Sequence, residues 1–444
     1  MWTSPRWRPY RTAWLSSRLW KRRLILLAGA VMIGLAATVF AGLSDLAQHI
    51  FRRYATVWPW APLVVTPIGF ALMAYATQRW FDGAQGSGIP QVIAARRSHN
   101  HRHRAALLSA RVTIGKIILT LLGFLAGASI GREGPTVQVG AAIMFAAAGL
   151  GGIGRQRGLV LAGAAAGVAA AFNAPLAGVL FAIEELAKAF ERRMTALITG
   201  SVVLAGLTSL AILGNYSYFG AVATSPTRPL DWLAVPICAT VGGVFGGLFS
   251  RGVAAVQASR NPLLAGRNRV LFAAACGLVV AVLALATNLY AAGTGYAETR
   301  AFVETGAALP WWYAPAKLVT TLLSSVSGIP GGLFSPSLSV GAGFGSLATA
   351  VLPGTDPRLI AVLAMVGYFA AVVQSPLTAF VIVMEMTSDN RMVIPLMATA
   401  LLAAGLSRLI AREPLYHALS YRFDAPVARP QRTDTDQASH LAAR

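Results

Sequence analysis

An internal repeat at a separation of 201 positions constrains this chain more than any other feature. Lys116-Ile-Ile-Leu-Thr120 recurs as Lys317-Leu-Val-Thr-Thr321, and Pro135-Thr-Val-Gln-Val139-Gly140 as Pro336-Ser-Leu-Ser-Val340-Gly341. Asn173-Ala-Pro175-Leu176 recurs as Gln374-Ser-Pro376-Leu377, and Glu184 as Glu385. One match in apolar sequence carries little weight, but four in a single ungapped register argue for duplication. Each half interrupts its apolar runs with Gly and Pro. Inside a membrane such breaks are tolerated only against protein or a wet cavity. Duplicated halves with broken helices are the pattern of channels and transporters whose site lies between the repeats near the midplane. The register leaves open whether the repeats run parallel or inverted.

Composition places the repeat in a bilayer. Of 444 residues 56% are hydrophobic and only 12% charged, against about 25% charged in a soluble domain. Ten or more runs can span or enter a membrane, the clear ones at 24–43, 61–77, 114–130, 159–183, 197–213, 233–249, 271–292, 359–384 and 393–409. The net charge of +21 does not point to nucleic acid, because the basic residues sit in tails and loops. Arg6, Arg8, Arg11, Arg18, Lys21, Arg22 and Arg23 precede the first run, and Arg96, Arg97, Arg102 and Arg104 crowd one loop. Segments 215–231 and 293–310 hold one arginine each. The positive-inside rule therefore makes both termini cytoplasmic and those two segments external. The run at 24–43 is too long for a signal-peptide core and reads as an uncleaved first helix. Cys238 and Cys276 fall inside apolar runs and read as core residues. His99, His101 and His103 alternate in a basic loop and read as a solvated face rather than a metal site.

The expected organisation is a basic cytoplasmic segment at 1–23, a first transmembrane repeat at 24–214, an external loop at 215–231, a second repeat at 232–423 and a disordered cytoplasmic tail at 424–444.

Within this frame the stretch 129–140, Ser-Ile-Gly-Arg-Glu-Gly-Pro-Thr-Val-Gln-Val-Gly, is where chemistry is expected. Ionisable residues at membrane depth are costly and mark pathways or sites. The glycines around Arg132-Glu133 allow unwound backbone, and Pro135 suits the first turn of a helix. A helix that starts in mid-membrane aims free N–H groups and its positive end at whatever precedes it, which favours an anion. Glu133 is itself an anion there, so a carboxylate and a dissolved anion can occupy one site in turn. A salt bridge between Glu133 and Arg132 is a poor alternative, since adjacent helical residues do not face each other. In the repeat register Glu133 falls on Phe334, so equivalent positions supply a carboxylate and a ring. A second glycine-rich segment, Gly83-Ala84-Gln85-Gly86-Ser87-Gly88-Ile89-Pro90, lies on the cytoplasmic side by the charge rule. Lys116 and Lys317 either satisfy backbone carbonyls or supply background positive potential.

Gly86-Ser87-Gly88-Ile89-Pro90, Gly131-Arg132-Glu133-Gly134-Pro135, Gly331-Gly332-Leu333-Phe334-Ser335-Pro336 and Pro414-Leu415-Tyr416 occur in that order. Together they resemble the signature segments of the CLC chloride channel and transporter family, of the bacterial chloride/proton exchanger type, over about residues 24 to 423. The resemblance implies an all-α polytopic membrane protein of two inverted repeats of tilted, broken helices. It also implies a homodimer with one anion pathway per subunit, multi-pass in a bacterial inner membrane. The hydroxyls of Ser87 and Tyr416 and the N–H groups of Leu333 and Phe334 would bind chloride. Glu133 would be the external gate, and Glu185 the internal acid that shares proton transfer with it. Exchangers of the family carry an acid at that position, whereas several passive channels do not. Serine at 87 resembles chloride-preferring members, and nitrate-preferring ones tend to have proline. After Pro90 the chain reads Gln91-Val92-Ile93-Ala94, without the carboxylates of some bacterial exchangers. Chloride and protons are the implied partners in the bilayer, with chloride the bound substrate and no cofactor.

These residues suggest chloride/proton antiport and no enzyme. The alternatives are a voltage- or pH-gated passive chloride channel of the same fold and, more remotely, a broken-helix permease for another anion or an intramembrane enzyme. The acids, serines and histidines show no nucleophile–base spacing that favours the last.

Overall fold

The computed structural model describes residues 17–152, 157–187, 192–214, 217–220, 222, 224–259 and 266–424. The expected disordered tail beyond Asp424 and the first sixteen residues lie outside them. The first helix, α1, is longer than the apolar run suggests. It covers Ser17–Val57, 41 residues, so it begins inside the segment expected to be a basic tail. Arg, Lys and Leu are good helix formers, and no breaker intervenes until Pro59, whose ring disfavours helix in the residue before it. At 1.5 Å per residue α1 is about 60 Å long, so it must tilt or project beyond the hydrocarbon core.

α2 (Ala61–Arg79), α3 (Ile89–Arg97), α4 (His101–Leu107) and α5 (Ala110–Leu125) follow. α6 (Glu133–Leu150), α7 (Arg157–Phe172), α8 (Pro175–Phe181) with a π-helical turn Ala182–Ala187, and α9 (Arg192–Leu213) complete the first half. The second half holds α10 (Ala234–Ala258), α11 (Gly266–Ala286), α12 (Tyr296–Thr305), α13 (Tyr313–Val326), α14 (Phe334–Ala348), α15 (Pro357–Val373), α16 (Pro376–Thr387), α17 (Val393–Ile410) and α18 (Leu415–Ser420). Segment 293–310, placed outside by the charge rule, contains α12.

Among the described residues six segments are long and apolar enough to cross a bilayer, including Arg23–Val57, Pro229–Ala258 and Gly266–Ala286. The runs at 159–183 and 359–384 do not form single spans. Each breaks at a residue held in the left-handed region, Asn173 (φ 53°) or Gln374 (φ 56°). Each resumes at a proline in the first helical turn, Pro175 or Pro376. Leu24, Met32, Val39 and Leu46 of α1 are exposed, while Lys116, Thr120, Lys317 and Thr320 are fully buried. That distribution suits a protein whose solvent is hydrocarbon.

The repeat in sequence is a two-fold in space. Gly131 and Gly332, 201 positions apart, exchange both backbone bonds: Gly131 N–H donates to Gly332 O at 2.8 Å and Gly332 N–H to Gly131 O at 2.7 Å. A residue that pairs reciprocally with its own counterpart sits on a local two-fold axis. A second reciprocal pair confirms it. Glu184 accepts from the N–H groups of Leu377 (3.1 Å) and Thr378 (2.6 Å) at the start of α16. Its counterpart Glu385 accepts from Leu176 (3.1 Å) and Ala177 (2.8 Å) at the start of α8. Each acid satisfies orphan donors at the positive end of the other half's helix. Close packing repeats as well. A Cβ on Gly140 would stand 2.4 Å from Gly163 O, and one on Gly341 2.7 Å from Ala364 O. Such contact between backbones is what small residues allow in membrane helices.

Candidate functional site

Four broken segments meet at this axis. Gly86 and Gly88 adopt positive φ (65° and 102°) on either side of Ser87, a conformation that suits glycine. The loop is tied to the second half, since Gly86 N–H donates to Ile329 O at 3.2 Å and Gly331 N–H to Gly86 O at 3.1 Å. Lys116 Nζ donates to Gly86 O (2.8 Å) and Gln85 O (3.3 Å), and Lys317 Nζ to Ala292 O (3.0 Å) and Gly293 O (2.6 Å). Both buried lysines thus satisfy backbone carbonyls, one of the two roles left open above. Gln91 Nε2 donates to Gly83 O at 3.0 Å and Gln85 O at 2.6 Å. An ionised carboxylate could not make those bonds, so the departure at position 91 serves to hold the Ser87 loop.

Gly134 brings the start of α6 against that loop. A Cβ there would meet Ser87 Oγ at 2.2 Å and the Ser87 carbonyl at 2.8 Å. Leu333 and Phe334 open α14, whose first N–H groups have no acceptor within the helix. The Phe334 ring packs among Phe172 (5.6 Å, stacked), Phe369 (4.9 Å), Phe181 (6.0 Å) and Tyr416 (6.0 Å). Tyr416 is fully buried on α18, within electrostatic reach of Ser87, Glu133 and Glu185. The buried hydroxyls of Ser87 and Tyr416 have no hydrogen-bond partner among the described residues. Unpaired buried donors are costly. Together with the first N–H groups of α14 they form a set of donors that suits an anion.

Glu133 is fully buried at the start of α6. Its Oε1 accepts from Ser335 Oγ at 2.5 Å and Tyr218 OH at 3.3 Å, and those two hydroxyls are 3.3 Å apart. Among the described residues Oε2 has no hydrogen-bond partner, and it lies 2.3 Å from where a Gly131 Cβ would sit. Arg132 turns away from its neighbour. Its Nη1 bonds Asp45 Oδ1 and Ala41 O of α1, both at 2.8 Å. A cavity of about 510 Å³, lined in part by Asp45, His49, Arg52, Arg132 and Tyr218, reaches this point. Burial, and then the charge of Glu133, push the Tyr218 phenol far above its ordinary value. It therefore remains a protonated donor at any physiological pH.

Glu185 lies in the π-helical turn that follows α8. Such turns shift the direction of successive side chains and concentrate at functional sites. Here Glu184 reaches the start of α16, while Glu185 Oε2 accepts from the hydroxyl of Ser375. Glu185 is 2% exposed. His417 Nε2 stands 4.0 Å from Glu185 Oε1 and 2.9 Å from the Glu185 carbonyl. In the repeat register Glu185 falls on Met386, as Glu133 falls on Phe334. Both acids thus belong to the first half, facing apolar counterparts.

Residues 68–408 match the family model described as voltage gated chloride channel. The chain belongs to that family. Among curated proteins it is 29% identical over 422 residues to the H(+)/Cl(-) exchange transporter ClcA of Vibrio vulnificus, covering 88% of each. With the protein of the same name from Vibrio cholerae it shares 29% over 430 residues, 90% of this chain and 88% of the other. A slow cyanobacterial Cl−/H+ antiporter superposes with a TM-score of 0.76 at 23% identity, covering 92% of this chain and 99% of its own. A CLC-type fluoride/proton antiporter superposes at 0.75 and 21%, covering 88% and 96%. The fold is that of the family, an integral multi-pass membrane protein of two inverted repeats.

The structure brings the start of α6, with Glu133 and Gly134, against Ser87, and Phe334 at the start of α14 beside Tyr416, while Glu185 lies on a separate turn. Sequence reasoning missed Asp45, Tyr218, Ser335, Ser375 and His417. Ser335 falls on Gly134 in the register, a hydroxyl opposite a glycine, and that signal was available. Tyr218 gave none, being one of two tyrosines in a connecting segment without periodicity. His99, His101 and His103 join no group of potential metal ligands among the described residues, and Cys238 and Cys276 are buried free thiols.

Proposed function

We propose that this protein exchanges chloride for protons across a bacterial inner membrane, with chloride held by Ser87, Tyr416 and the N–H groups of Leu333 and Phe334. Glu133 is the external gate and Glu185 the internal proton acid. The observation that carries this reading is the pair of buried carboxylates of the first half, both within electrostatic reach of Tyr416. The curated relatives, H(+)/Cl(-) exchange transporters, support it. The working unit is a homodimer with one pathway in each subunit, both termini are cytoplasmic, and the halves divide at 24–214 and 232–423.

The coupling follows from electrostatics. The Glu133 carboxylate and chloride are both anions and compete for the same helix-end N–H groups, so a proton on Glu133 frees them for chloride. Anion arrival and proton uptake at Glu133 are therefore linked, each raising the affinity for the other. An inner acid that passes the proton to the cytoplasm turns this linkage into antiport.

The test is chloride-driven proton uptake by the purified protein in proteoliposomes. Uphill proton movement on imposing a chloride gradient is expected, with sodium and potassium excluded. Chloride flux without proton movement would establish a channel instead. Ser87→Pro removes a donor from the anion site and stiffens its turn. It is expected to raise nitrate flux relative to chloride severalfold, and an unchanged ratio would remove Ser87 from the site.

A further inference from the structure

The gate carboxylate has two partners that the anion site does not need. Ser335 is the second residue of α14 and 1% exposed, and Tyr218 is 3% exposed in the segment that joins the halves. That segment is fastened over the site, not loose at the surface. Phe219 N–H donates to Met386 O at 2.9 Å and Val222 N–H to Thr387 O at 3.0 Å, at the end of α16. The Tyr218 ring is further fixed edge-on by Tyr296 (4.9 Å), Phe219 (5.0 Å) and Phe172 (6.2 Å). Tyr218 also lines the 510 Å³ cavity, so its side chain stands between that space and Glu133.

We propose that the hydroxyls of Tyr218 and Ser335 form a latch that holds the charged Glu133 carboxylate in the anion path and sets the pH at which it lets go. The inference rests on Glu133 being the gate. Both hydroxyls can donate to one carboxylate oxygen at once, and bonds to a charged acceptor are about twice as strong as neutral ones. When Glu133 is protonated its carbonyl oxygen still accepts from them, but as a neutral group, and both bonds weaken. The pair therefore favours the charged, seated gate over the neutral, mobile one. Among the described residues the other charged or titratable groups facing Glu133 are Arg132 beside it, Asp45 of α1 through Arg132, and Tyr416 of α18. Along the cavity stand His49 and Arg52, the latter paired with Glu298 of α12 at 2.6 Å. None of these bonds Oε1, so removing a latch hydroxyl leaves them in place.

The experiment uses the full chain in proteoliposomes and follows the initial rate of chloride-driven proton uptake between about pH 4 and 8. Tyr218→Phe keeps the ring and its packing, and Ser335→Ala removes the hydroxyl alone. Each is expected to move the alkaline midpoint of exchange upward by about one pH unit. The double variant is expected to move it further than either single, because each donor bonds the shared oxygen more strongly once the other is gone. Midpoints unchanged in active Tyr218→Phe or Ser335→Ala protein would overturn the latch, since a packing role alone moves rate or yield and not the midpoint. Should one variant fail to fold, the other decides. Glu133→Gln, run in parallel, separates the two readings. Proton coupling that survives in it removes the gate and the latch together. Coupling lost in it, with unmoved midpoints in the hydroxyl variants, removes the latch alone.

Discussion

Glu133→Gln is expected to abolish proton movement while chloride continues to flow down its gradient, independent of pH. The amide has nearly the shape of the protonated acid but cannot titrate. Ser335 Oγ, 2.5 Å from Oε1 in the native protein, keeps an acceptor in the amide oxygen, so the start of α6 is expected to hold its geometry. What is lost is the negative charge that competes with chloride for the helix-end N–H groups. Chloride therefore meets a gate that is permanently in its neutral state. Proton uptake measured with a chloride gradient is expected to fall to the level of protein-free vesicles. Uptake that persists would place the outer titratable group elsewhere, with Asp45, bonded to Arg132 at 2.8 Å, the first candidate.

The contrast with Ser87→Pro is instructive. That substitution changes which anion is preferred and leaves a titratable gate, so coupling is expected to survive it. Selectivity and coupling then separate onto different residues although Gly134, next to Glu133, packs directly on Ser87.

Much of this architecture was legible in the sequence because duplication writes the same constraint twice. The 201-position register placed Gly131 on Gly332 and Glu184 on Glu385, and those pairs are the ones that close across the axis. Helix breaks were legible at Asn173-Ala174-Pro175 and Gln374-Ser375-Pro376 for a local reason, the proline itself. What was not legible depends on tertiary geometry. The extent of α1 was hidden because basic residues signal a membrane boundary yet also favour helix. Tyr218 sits in a stretch with no periodicity, and only the fastening of residues 219 and 222 to the end of α16 brings it over Glu133. Gln91 read as a missing carboxylate, whereas its bonds to Gly83 and Gln85 show a donor that the loop requires. The two neighbours Glu184 and Glu185 could not be told apart from spacing alone, and the π-helical turn is what separates them.

That separation gives the sharpest test of the inner proton route. Glu185→Gln is expected to stop chloride-driven proton uptake while chloride flux continues. Unlike the gate variant, it keeps the Glu133 carboxylate, so chloride flux is expected to remain sensitive to pH. The amide can keep an oxygen toward the Ser375 hydroxyl, and the caps that Glu184 and Glu385 place on α16 and α8 are untouched. Folding is therefore expected to be near native. Glu184→Gln is the matched control. It removes a charge from the start of α16, where a helix-end acid contributes roughly 0.3–1 kcal/mol. Its expected consequence is a modest loss of thermal stability with proton coupling retained. If Glu185→Gln still drives protons uphill and Glu184→Gln does not, the roles of the two acids are reversed. If both variants couple normally, the proton leaves Glu133 by another path. His417, 4.0 Å from Glu185 Oε1 and partly open to solvent, is then the next residue to replace.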